Sequence, residues 1–359
     1  MIDSVWIKSF RCLSEISFSF SKGPFLSIIS QNNVGKTSVL EACYVLSHLS
    51  SFVTSDLSQI VPFDLEASYM GIKLVHPKKD FNYYLKVDNQ GKKYINLNER
   101  PVRKKSDIQS LFRSIYISSD SLVLVTSNPS FRRNYLDLGI SQSSMSYRRN
   151  LSTYHRLIQH KNRLLKHGGD KRMLYQMNAQ LVPLIREIQR HRVTVLQEIE
   201  RLVQQFIESV HLFREKVSID YISNSFNYSD DDALLNALNE NLTKELLIKC
   251  SNLGPHRDDY QFRIGGRDLK SYFSRGICRT VAFFFQISQA SLIKDLTGMP
   301  MLLLLDEPFS EIHHTLKNKL IPLIPSSFYV IYTSTQINET AFLNKDQMYA
   351  INNGRLCKI

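Results

Sequence analysis

A short apolar run leads directly into a Gly-Lys-Thr triplet and then into a helical pattern, and this feature most constrains the fold. The apolar run, Phe25–Ile29, is typical of a buried strand. The triplet is Gly35-Lys36-Thr37, and the helical pattern runs from Ser38 to His48. A strand, a loop ending in Gly-Lys-Thr and a helix form the arrangement of a phosphate-binding loop, or P-loop. The sequence therefore predicts an α/β fold with a phosphate site where this helix begins.

The loop supplies the candidate nucleotide-binding residues. They are Ser30, Gln31, Asn32, Asn33, Val34, Gly35, Lys36 and Thr37. In a P-loop, backbone N–H groups wrap the phosphates, the lysine reaches the β and γ oxygens, and the following hydroxyl holds Mg²⁺. Lys36 and Thr37 match the last two roles, and the helix N-terminus adds its dipole. The loop therefore predicts ATP and Mg²⁺ as ligands.

The first glycine of the usual P-loop pattern is replaced by Ser30. If that position demands a left-handed conformation, serine costs about 1–2 kcal/mol there. Asn33 is a milder substitution, because asparagine tolerates the left-handed region.

A second apolar run, Met301–Leu305, ends in two carboxylates, Asp306 and Glu307. This is the pattern of a Walker B strand, in which Asp306 holds Mg²⁺ and Glu307 is the catalytic residue that orients or deprotonates the attacking water. The alternative is a strand that ends in a solvated Asp-Glu turn. The P-loop elsewhere in the chain favours the catalytic interpretation.

The long separation between Lys36 and Asp306 is typical of ABC-type ATPase heads, which carry a large insertion between these motifs. Such heads also have a Ser-x-Gly signature that opens a helix shortly before the Walker B strand. Ser274 and Gly276, followed by the apolar segment Val281–Ile287, occupy that position. A serine hydroxyl and a glycine N–H at a helix start could hold the γ-phosphate of ATP bound to a second chain. We therefore expect an ATP-induced homodimer.

The middle of the chain has a helical texture. Heptad-spaced apolar residues from Leu181 to Leu202 predict a long helix that Pro183 starts or kinks, after a break at Gly168-Gly169. The segment from Asp230 to Lys249 predicts one further helix.

The expected fold class is an α/β, ABC-type P-loop ATPase head with an inserted helical lobe. Its predicted parts are an N-terminal ATPase part with the P-loop (1–130), helical lobe II (131–250) and a C-terminal ATPase part with signature and Walker B (251–359).

Composition narrows the class of protein. The net charge of +12 favours a polyanionic partner, and the 43% hydrophobic content is ordinary for a soluble protein. Five scattered cysteines without a C-x-x-C pair favour reduced thiols in the cytoplasm over structural zinc. The apolar stretch 299–305 is too short to cross a bilayer. His256 is more readily explained as a structural turn residue than as a metal ligand, and no membrane association is expected.

One stretch of the chain is strongly basic. Its candidate DNA-binding residues are Arg132, Arg133, Arg148, Arg149, Arg156, Lys161 and Arg163, followed by Lys166, Lys171 and Arg172. A groove for DNA phosphates uses such residues without reading sequence. A solvated helix face is the alternative, although the one-sided excess of charge favours DNA. Arg132 and Arg133 have a rival role as sensors near the nucleotide. Weaker phosphate candidates are Lys78-Lys79, Lys92-Lys93 and Arg103-Lys104-Lys105.

Several segments, in order along the whole chain, resemble the RecF family of SMC-like, ABC-type ATPase heads. They are Phe10-Arg11, Leu40-Glu41-Ala42, 128–137 (NPSFRRNYLD), Ser146-Tyr147, 156–166 (RLIQHKNRLLK), 254–259 (GPHRDD), Ser274-x-Gly276 and Leu304–Glu307 with Ser310-Glu311. The resemblance implies an ATP-dependent dimer that binds single-stranded, gapped or junction DNA and hydrolyses ATP weakly. It also implies RecO and RecR as partners in loading a recombinase at gaps.

The chain departs from the RecF pattern at positions that concern the trans contacts and hydrolysis. The departures are Ser30, Asn33, Ser127, Ile277-Cys278 and His313. A second hypothesis is therefore a degenerate head that binds ATP without hydrolysing it and acts as a scaffold for DNA or RecR. A transporter ATPase is disfavoured by the 254–259 segment and the basic insertion. An ATPase-coupled nuclease is disfavoured by the short segment after the Walker B strand.

Overall fold

The computed structural model describes residues 1–102, 108, 110–225, 228–309, 312, 314–335 and 347–359. Within these residues the chain divides into two compact units. The first comprises 1–122 and 294–359, and the second comprises 123–293. The second unit thus begins near the predicted lobe boundary at 130 but extends well beyond 250, because residues after 250 pack with its helices. The functional meaning of the three predicted parts stays a prediction.

The described residues of the first unit form one mixed sheet of twelve strands. Numbered along the chain, they are β1 (Ile2–Phe10), β2 (Leu13–Ser19), β3 (Phe25–Ile29), β4 (Ala67–Leu74), β5 (Phe81–Asp88), β6 (Lys93–Leu97), β7 (Arg100–Pro101), β8 (Arg113–Ser118), β12 (Met301–Asp306), β13 (Tyr329–Ser334), β14 (Met348–Asn352) and β15 (Arg355–Lys358). Their order across the sheet is β7-β6-β5-β4-β1-β2-β15-β14-β3-β13-β12-β8.

The part of the sheet that positions the P-loop is parallel. β3 pairs with β13, β13 with β12, and β12 with β8, all in parallel. The apolar side chains of β12 are buried along its whole length, as in strands covered on both faces. Helix α1 (Lys36–His48) follows β3, and its Leu40 packs in the same core cluster as Leu302 and Leu304. Parallel strands end at a common edge, so the loops after β3, β8 and β12 lie together.

The other part of the first unit is antiparallel. β1 pairs with β2 and β4, and β4-β5-β6-β7 continue as successive antiparallel neighbours. The turn after Asp88 is held by its carboxylate, which accepts the N–H groups of Gln90 at 3.0 Å and Lys92 at 2.9 Å. Along these strands buried residues alternate with exposed ones. One face of the antiparallel part therefore packs on the core and the other faces solvent.

The second unit is mainly helical. Its helices are α2 (Pro129–Ser143), α3 (Met145–Lys166), α4 (Lys171–Val210), α5 (Asp231–Glu240), α6 (Leu242–Ile248), α7 (Leu269–Tyr272) and α8 (Arg275–Thr297), the last extending into residues of the first unit. A small antiparallel sheet accompanies them, with β9 (Val217–Ile222), β10 (Asp259–Ile264) and β11 (Arg267–Asp268) in the order β11-β10-β9. A further helix, α9 (His314–Leu320), belongs to the first unit.

The structure excludes one of the two roles predicted for Pro183 and corrects one predicted helix. Helix α4 begins at Lys171, where Asp170 caps it by accepting the Arg172 N–H, so Pro183 lies inside the helix and does not start it. A proline removes one backbone hydrogen bond, and the buried apolar residues on either side of Pro183 hold the helix in place. The single helix predicted over 230–249 is two, α5 and α6, which meet at Asn241. The break at Gly168-Gly169 is confirmed.

Helix α8 is long and apolar enough, by length and composition, to cross a bilayer. However, 72% of its apolar window is buried within the protein. It carries consecutive buried residues from Thr280 to Ala290. Burial on all sides is typical of a core helix, and the part of the chain that the structure describes contains one helix that meets the length and composition test.

Candidate functional site

Asn33 adopts the left-handed backbone conformation that asparagine tolerates, whereas Ser30 does not adopt it. Asn33 has a φ of 64° and Gly35 a φ of 106°, both in the left-handed region. Ser30 does not adopt a positive φ. Its hydroxyl instead accepts the backbone N–H of Ile351 at 2.7 Å. The serine is therefore unstrained, because the turn at this position uses an ordinary backbone conformation.

Gly35 is required by close packing as well as by its φ. A Cβ atom at this position would lie 2.7 Å from Leu13 Cδ2 and 2.8 Å from Cys12 Sγ. Both distances are below 3.0 Å, so the Leu13 and Cys12 side chains would have to move to admit a Cβ atom. The turn between β1 and β2 therefore packs closely against the P-loop at Gly35.

Lys36 is held inside the loop, with 5% of the residue exposed. Its Nζ donates to the carbonyl oxygens of Ser30 at 2.7 Å and Gln31 at 3.0 Å, and to Asn32 Oδ1 at 3.3 Å. It also lies 3.0 Å from Glu307 Oε1. The ammonium group therefore joins the P-loop to Glu307, the residue that follows the Walker B aspartate.

Thr37 and Asp306 meet directly. The Thr37 hydroxyl donates to Asp306 Oδ2 at 2.7 Å, and the Tyr116 hydroxyl donates to the same oxygen at 3.0 Å. Thr333 donates to the other oxygen, Oδ1, at 2.7 Å. Burial and the nearby Asp306 charge raise the pKa of Tyr116, so its phenol stays protonated and donates. Phe52 stacks on the Tyr116 ring at 3.7 Å between centroids and fixes its position.

Glu307 occupies the turn that leaves the Walker B strand. It has a φ of 44°, and its backbone N–H donates to Thr333 at 3.3 Å. Its side chain is 31% exposed. The strained backbone and the hydrogen bond together aim the carboxylate at Lys36 and away from the core.

These groups open onto one cavity of about 630 Å³. Its lining comprises Cys12, Asn32, Asn33, Gly35, Lys36, Thr37, Ser38, Tyr116, Ser118, Ser119, Asp120, Asp306 and Glu307. The sequence predictions missed the residues from β8 and its following turn, Tyr116 and 118–120. The register explains their presence, since Ser118 pairs with Asp306 at the end of the parallel strands. An apolar alternation at 115–117 before a polar turn is the signal that could have identified them.

The signature residues lie in the second unit, at the start of α8. The Ser274 hydroxyl accepts the N–H of Ile277 at 3.4 Å, in the manner of an N-cap. Gly276 has space around it, since a Cβ there would meet only the Ser274 hydroxyl at 4.0 Å. Cys278, in contrast, is buried and its thiol donates to the Leu269 carbonyl. The predicted helix start is confirmed, and a role in holding phosphate stays a prediction.

Arg132 does not present a free charge to a polyanion. Its guanidinium donates to both carboxylate oxygens of Asp259, at 2.8 and 2.7 Å, and it is 7% exposed. Arg133 donates to the Asp258 carbonyl at 2.7 Å, and burial followed by the Arg192 charge lowers its pKa. These two predicted DNA-binding arginines instead fasten α2 to the segment 254–259. For Arg132 the prediction is corrected, because its charge is already paired.

Lys161 is likewise corrected. It is completely buried, and its Nζ lies 2.7 Å from Glu245 Oε2 and 2.7 Å from Asn178 Oδ1. Desolvation lowers the pKa of Lys161, and the Glu245 carboxylate opposes that shift. A lysine in this position fixes α3 to α4 and α6 and cannot reach DNA.

The remaining predicted DNA-binding arginines lie on α3. Arg149, Arg156 and Arg163 are exposed and follow one another at seven-residue intervals, and Arg148 is half-buried. Residues seven apart lie on one helix face about 10 Å from each other. Helix α3 contains no acidic residue, so this arginine stripe has no opposing charge on its own helix.

Two segments of the RecF resemblance meet in the core of the second unit. Arg192 is buried, and it donates to both oxygens of Asp137 at 2.9 and 2.8 Å and to the Pro255 carbonyl at 2.7 Å. Asp258 lies 3.7 Å from the same guanidinium. His256 pairs with Tyr154 at 2.5 Å and with the Ser251 carbonyl at 3.0 Å, which suits a structural turn residue. The segments 128–137 and 254–259 therefore pack together around the buried ion pair of Arg192 and Asp137.

Among the residues that the structure describes, no group of three or more His, Cys, Asp or Glu is arranged to hold a metal ion. Thr37 and Asp306 form a smaller set of possible metal ligands, and both of them offer oxygen atoms. Oxygen donors are the ligands that Mg²⁺ prefers. Ser310, Glu311 and His313, with the weaker candidates 103–105, lie outside the described residues.

Comparison with known proteins agrees with this geometry. Residues 1–258 match the family model of the AAA ATPase domain. The DNA replication and repair protein RecF of Clostridium tetani is 28% identical over 96% of this chain and 96% of its own length. The RecF of Macrococcus caseolyticus is also 28% identical, over 96% of this chain and 95% of its own length.

Solved structures give the same relationship. The structure of the recombination mediator protein RecF-ATPrS in the RecFOR pathway has a TM-score of 0.88 at 25% identity, covering 100% of this chain and 98% of that one. An Smc head bound to the C-winged helix domain of ScpA has a TM-score of 0.58 at 14% identity, covering 99% and 95%, which reflects the fold alone. The α/β ATPase-head fold with its helical insertion is thus established, and the chain belongs to the AAA ATPase domain family and is similar to RecF proteins along nearly its whole length.

Proposed function

We propose that this chain is an ATP-dependent DNA-binding protein of replication-gap repair and recombination. The observation that carries the proposal is the convergence of Lys36, Thr37, Asp306 and Glu307 on one cavity. Relatives whose names concern DNA replication and repair, and a relative solved as RecF-ATP in the RecFOR pathway, support the same role.

The P-loop residues bind the nucleotide through its phosphates. The N–H groups of the loop 30–35 and of the first turn of α1 supply donors, and the helix dipole favours the negative charge. Lys36 supplies the positive charge, at present shared with the loop carbonyls and Glu307. A bound β,γ-phosphate competes with Glu307 for this ammonium group. Nucleotide binding then frees the Glu307 carboxylate.

Thr37 and Asp306 are the residues that would hold Mg²⁺. Their oxygens are 2.7 Å apart, and Tyr116 and Thr333 orient the carboxylate. When bound, Mg²⁺ neutralises charge on the β and γ oxygens. The donor set fits, because it offers a hydroxyl and a carboxylate at the mouth of a phosphate loop.

Glu307 is the group best placed to orient or deprotonate water. It is half-exposed and lies next to Lys36, at the edge where the γ-phosphate would lie. The ATPase is expected to be weak. Ile277 and His313 replace residues that the RecF pattern usually keeps for trans contacts and for the loop after Walker B.

Two copies of the chain sandwich ATP in this proposal. Ser274 and Gly276 of one copy face the γ-phosphate on the other, which their position at an open helix start supports. The DNA surface is the arginine stripe of Arg149, Arg156 and Arg163, with Arg148 beside it. RecO and RecR are the proposed protein partners, gapped or single-stranded DNA is the substrate, and the cytoplasm is the location.

The second candidate, a scaffold that binds ATP without hydrolysis, is less favoured. Both carboxylates of the Walker B motif, Asp306 and Glu307, are present and face the cavity. Phosphate release in the presence of DNA, wild type against Glu307→Gln, separates the two functions. Equal background rates would leave the scaffold as the better description.

The decisive experiment measures DNA retention and particle mass together, with and without ATP. The proposal expects ATP to double the mass and to increase DNA retention, and Lys36→Arg to abolish both effects. Arg201→Ala is a matched control, because Arg201 is exposed on α4 and paired with Glu198 far from the P-loop in sequence. If Lys36→Arg retains DNA with ATP as the wild type does, the P-loop does not control DNA binding.

A further inference from the structure

An aromatic surface lies on the solvent face of the antiparallel part of the first unit. In register across the strands, Trp6 on β1 lies opposite Gly71 on β4, and Gly71 lies opposite Tyr84 on β5. The next row on the same face carries Tyr69 and Tyr94, on β4 and β6. We call Trp6, Tyr69, Tyr84 and Tyr94 the aromatic platform. Trp6 is 37% and Tyr94 41% exposed, although the opposite face of these strands packs on the core.

The rings of the platform lie close together. A Cβ at Gly71 would lie 2.5 Å from the Trp6 indole, so the ring rests directly on the backbone of β4. The Trp6 and Tyr84 centroids are 5.6 Å apart with an angle of 36° between the planes. Tyr69 and Tyr84 are 6.3 Å apart at 37°. The neighbouring rings of Trp6, Tyr84 and Tyr69 are therefore tilted to one another by 36–37°, and none of the three residues is fully buried.

Lysines alternate with the rings. The Lys86 ammonium lies 5.8 Å from the Tyr69 centroid and 5.6 Å from that of Tyr94, and the Lys92 ammonium lies 5.1 Å from that of Tyr94. Lys8 occupies the position opposite Tyr69 on the next strand. Lysine is depleted from the centre of protein–protein interfaces, so this composition disfavours a protein partner. It suits a flexible polyanion that carries flat rings.

A cavity of about 450 Å³ adjoins the platform. Trp6 and Tyr84 form one wall, and Asn82, Asn96, Lys73 and Glu99 supply polar groups. Cavities that bind small molecules have volumes of about 300–1,000 Å³, so a single nucleotide fits. The amides offer donors and acceptors to a base edge, and Lys73 offers a charge to phosphate.

We propose that the aromatic platform binds single-stranded DNA by stacking unpaired bases on Trp6, Tyr84, Tyr69 and Tyr94. Bases in a duplex have their faces covered by neighbouring bases, whereas unpaired bases can stack on aromatic side chains. This site shares no residue with the P-loop cavity or with the arginine stripe. It rests on the proposed function in one respect, the choice of DNA as the natural ligand.

The charge balance of the platform sets how its binding depends on salt. Asp3 lies 3.8 Å from Lys73, Glu15 is opposite Lys8, and Asp88 accepts a hydrogen bond from Tyr94 at 3.2 Å. Acidic neighbours therefore offset part of the lysine charge. We expect only one or two phosphate contacts, with a salt slope of about −0.7 for each. Stacking, which is independent of salt, provides most of the affinity.

The chain contains a single tryptophan, and it lies on the platform. Tryptophan fluorescence therefore reports on this surface directly. The full chain without ATP is titrated with a thymidine oligonucleotide of about ten nucleotides, within the site sizes usual for such surfaces. An abasic oligonucleotide of the same length and a duplex are the comparisons. The expected result is strong quenching by the thymidine strand and little by the other two.

Variants test the individual rings. Tyr84→Ala and Tyr94→Thr are each expected to weaken binding of the thymidine strand by about fivefold or more, the effect of losing one stacked base. Tyr94 is exposed and threonine favours strands, so this variant keeps the fold if Tyr84→Ala does not. Phe63→Ala is the matched control, since Phe63 is fully exposed outside these strands. It should bind as the wild type does.

Three outcomes overturn the platform alone, and a fourth also overturns the proposed function. If anisotropy of a labelled thymidine strand shows binding while Trp6 fluorescence is unchanged, the bases stack elsewhere. If the abasic strand quenches Trp6 equally, phosphate contacts and not stacking account for binding. If the wild type retains no DNA under any condition, with or without ATP, the proposed repair function fails as well. ATP-dependent retention without quenching removes the platform alone.

Discussion

The hydroxyl of Ser30 accepts the backbone N–H of Ile351 at 2.7 Å, which ties the first residue of the P-loop to a neighbouring strand of the sheet. A glycine at this position, as in the usual P-loop pattern, offers no acceptor. The turn does not need the conformational freedom of glycine at this position, and the serine side chain supplies a hydrogen-bond acceptor instead. The departure from the pattern bears on stability more than on phosphate binding.

Ser30→Gly is accordingly expected to destabilise the protein. The lost hydrogen bond to a partly buried N–H, together with the greater freedom of glycine in the unfolded chain, amounts to about 1–2 kcal/mol. Chemical denaturation measures the free energy of unfolding, and ATP affinity at a fixed temperature is compared alongside. Ser30→Thr, which keeps the hydroxyl, is the control. A Ser30→Gly variant as stable as the wild type would show that the hydrogen bond contributes nothing.

The buried pair of Lys161 and Glu245 gives a second prediction. Lys161→Met leaves the Glu245 carboxylate buried without its cation and is expected to destabilise by about 3–5 kcal/mol. Glu245 also accepts the Ser251 hydroxyl at 2.9 Å and the Asn252 N–H at 3.1 Å. Glutamine at 245 can still accept those bonds without a charge. Adding Glu245→Gln to Lys161→Met should therefore recover most of the loss.

Unfolding free energies of the two single variants and the double variant form the cycle that tests this coupling. Arg163→Met is the matched control on the same helix, since Arg163 is exposed. It is expected to change stability by less than about 0.5 kcal/mol. If the loss of unfolding free energy in the double variant equals the sum of the losses in the two single variants, the two side chains are not energetically coupled.

How much of the site the sequence predicts depends on how local each signal is. Lys36, Thr37 and Asp306 could be predicted, because a buried strand followed by a specific loop is a contiguous pattern. Lys161 could not, since its partner comes from residue 245 and no periodicity reveals the pairing. The same holds for Arg132, whose carboxylate partner is Asp259. Charge counts along a segment therefore overestimated the surface available to DNA.

Register across the sheet is the other information that the sequence lacks. Ser118 and Asp120 line the nucleotide cavity because β8 lies beside β12 in parallel. Trp6 and Tyr84 become neighbours because β1 and β5 both flank Gly71. Each strand shows alternation by itself, but alternation fixes only the face. The strand order decides which exposed residues form one surface.

A third prediction concerns pH and His256. Burial lowers the pKa of His256 to about 4 from an ordinary value near 6.5, so the folded protein keeps this imidazole neutral. Between these values the unfolded chain binds a proton that the folded chain does not. The stabilisation is complete above pH 6.5, declines as the pH falls and is gone near pH 4. The full effect between these two pH values is about 3 kcal/mol.

Unfolding free energies from pH 7 to 5 measure this decline, in a range where most carboxylates remain charged. His256→Asn should be less stable than the wild type at pH 7 and should lose the part of the slope that His256 causes. His167→Asn is the control, because His167 is exposed at the end of α3. Parallel pH profiles for the wild type and His256→Asn would contradict the assignment.

The arginine stripe gives the last prediction, which separates phosphate contacts from a merely solvated helix face. Replacing Arg149, Arg156 and Arg163 together by alanine removes the exposed charges of one face of α3. Each phosphate contact contributes about 0.9 to the slope of log affinity against log salt for duplex DNA, so the slope should fall by two to three. The affinity for duplex DNA should decrease similarly for all sequences. Arg190→Ala with Arg201→Ala, two exposed arginines paired with glutamates on α4, should leave the slope unchanged. If both sets of variants behave alike, α3 only contributes to net charge, and the duplex must bind to another surface of the protein.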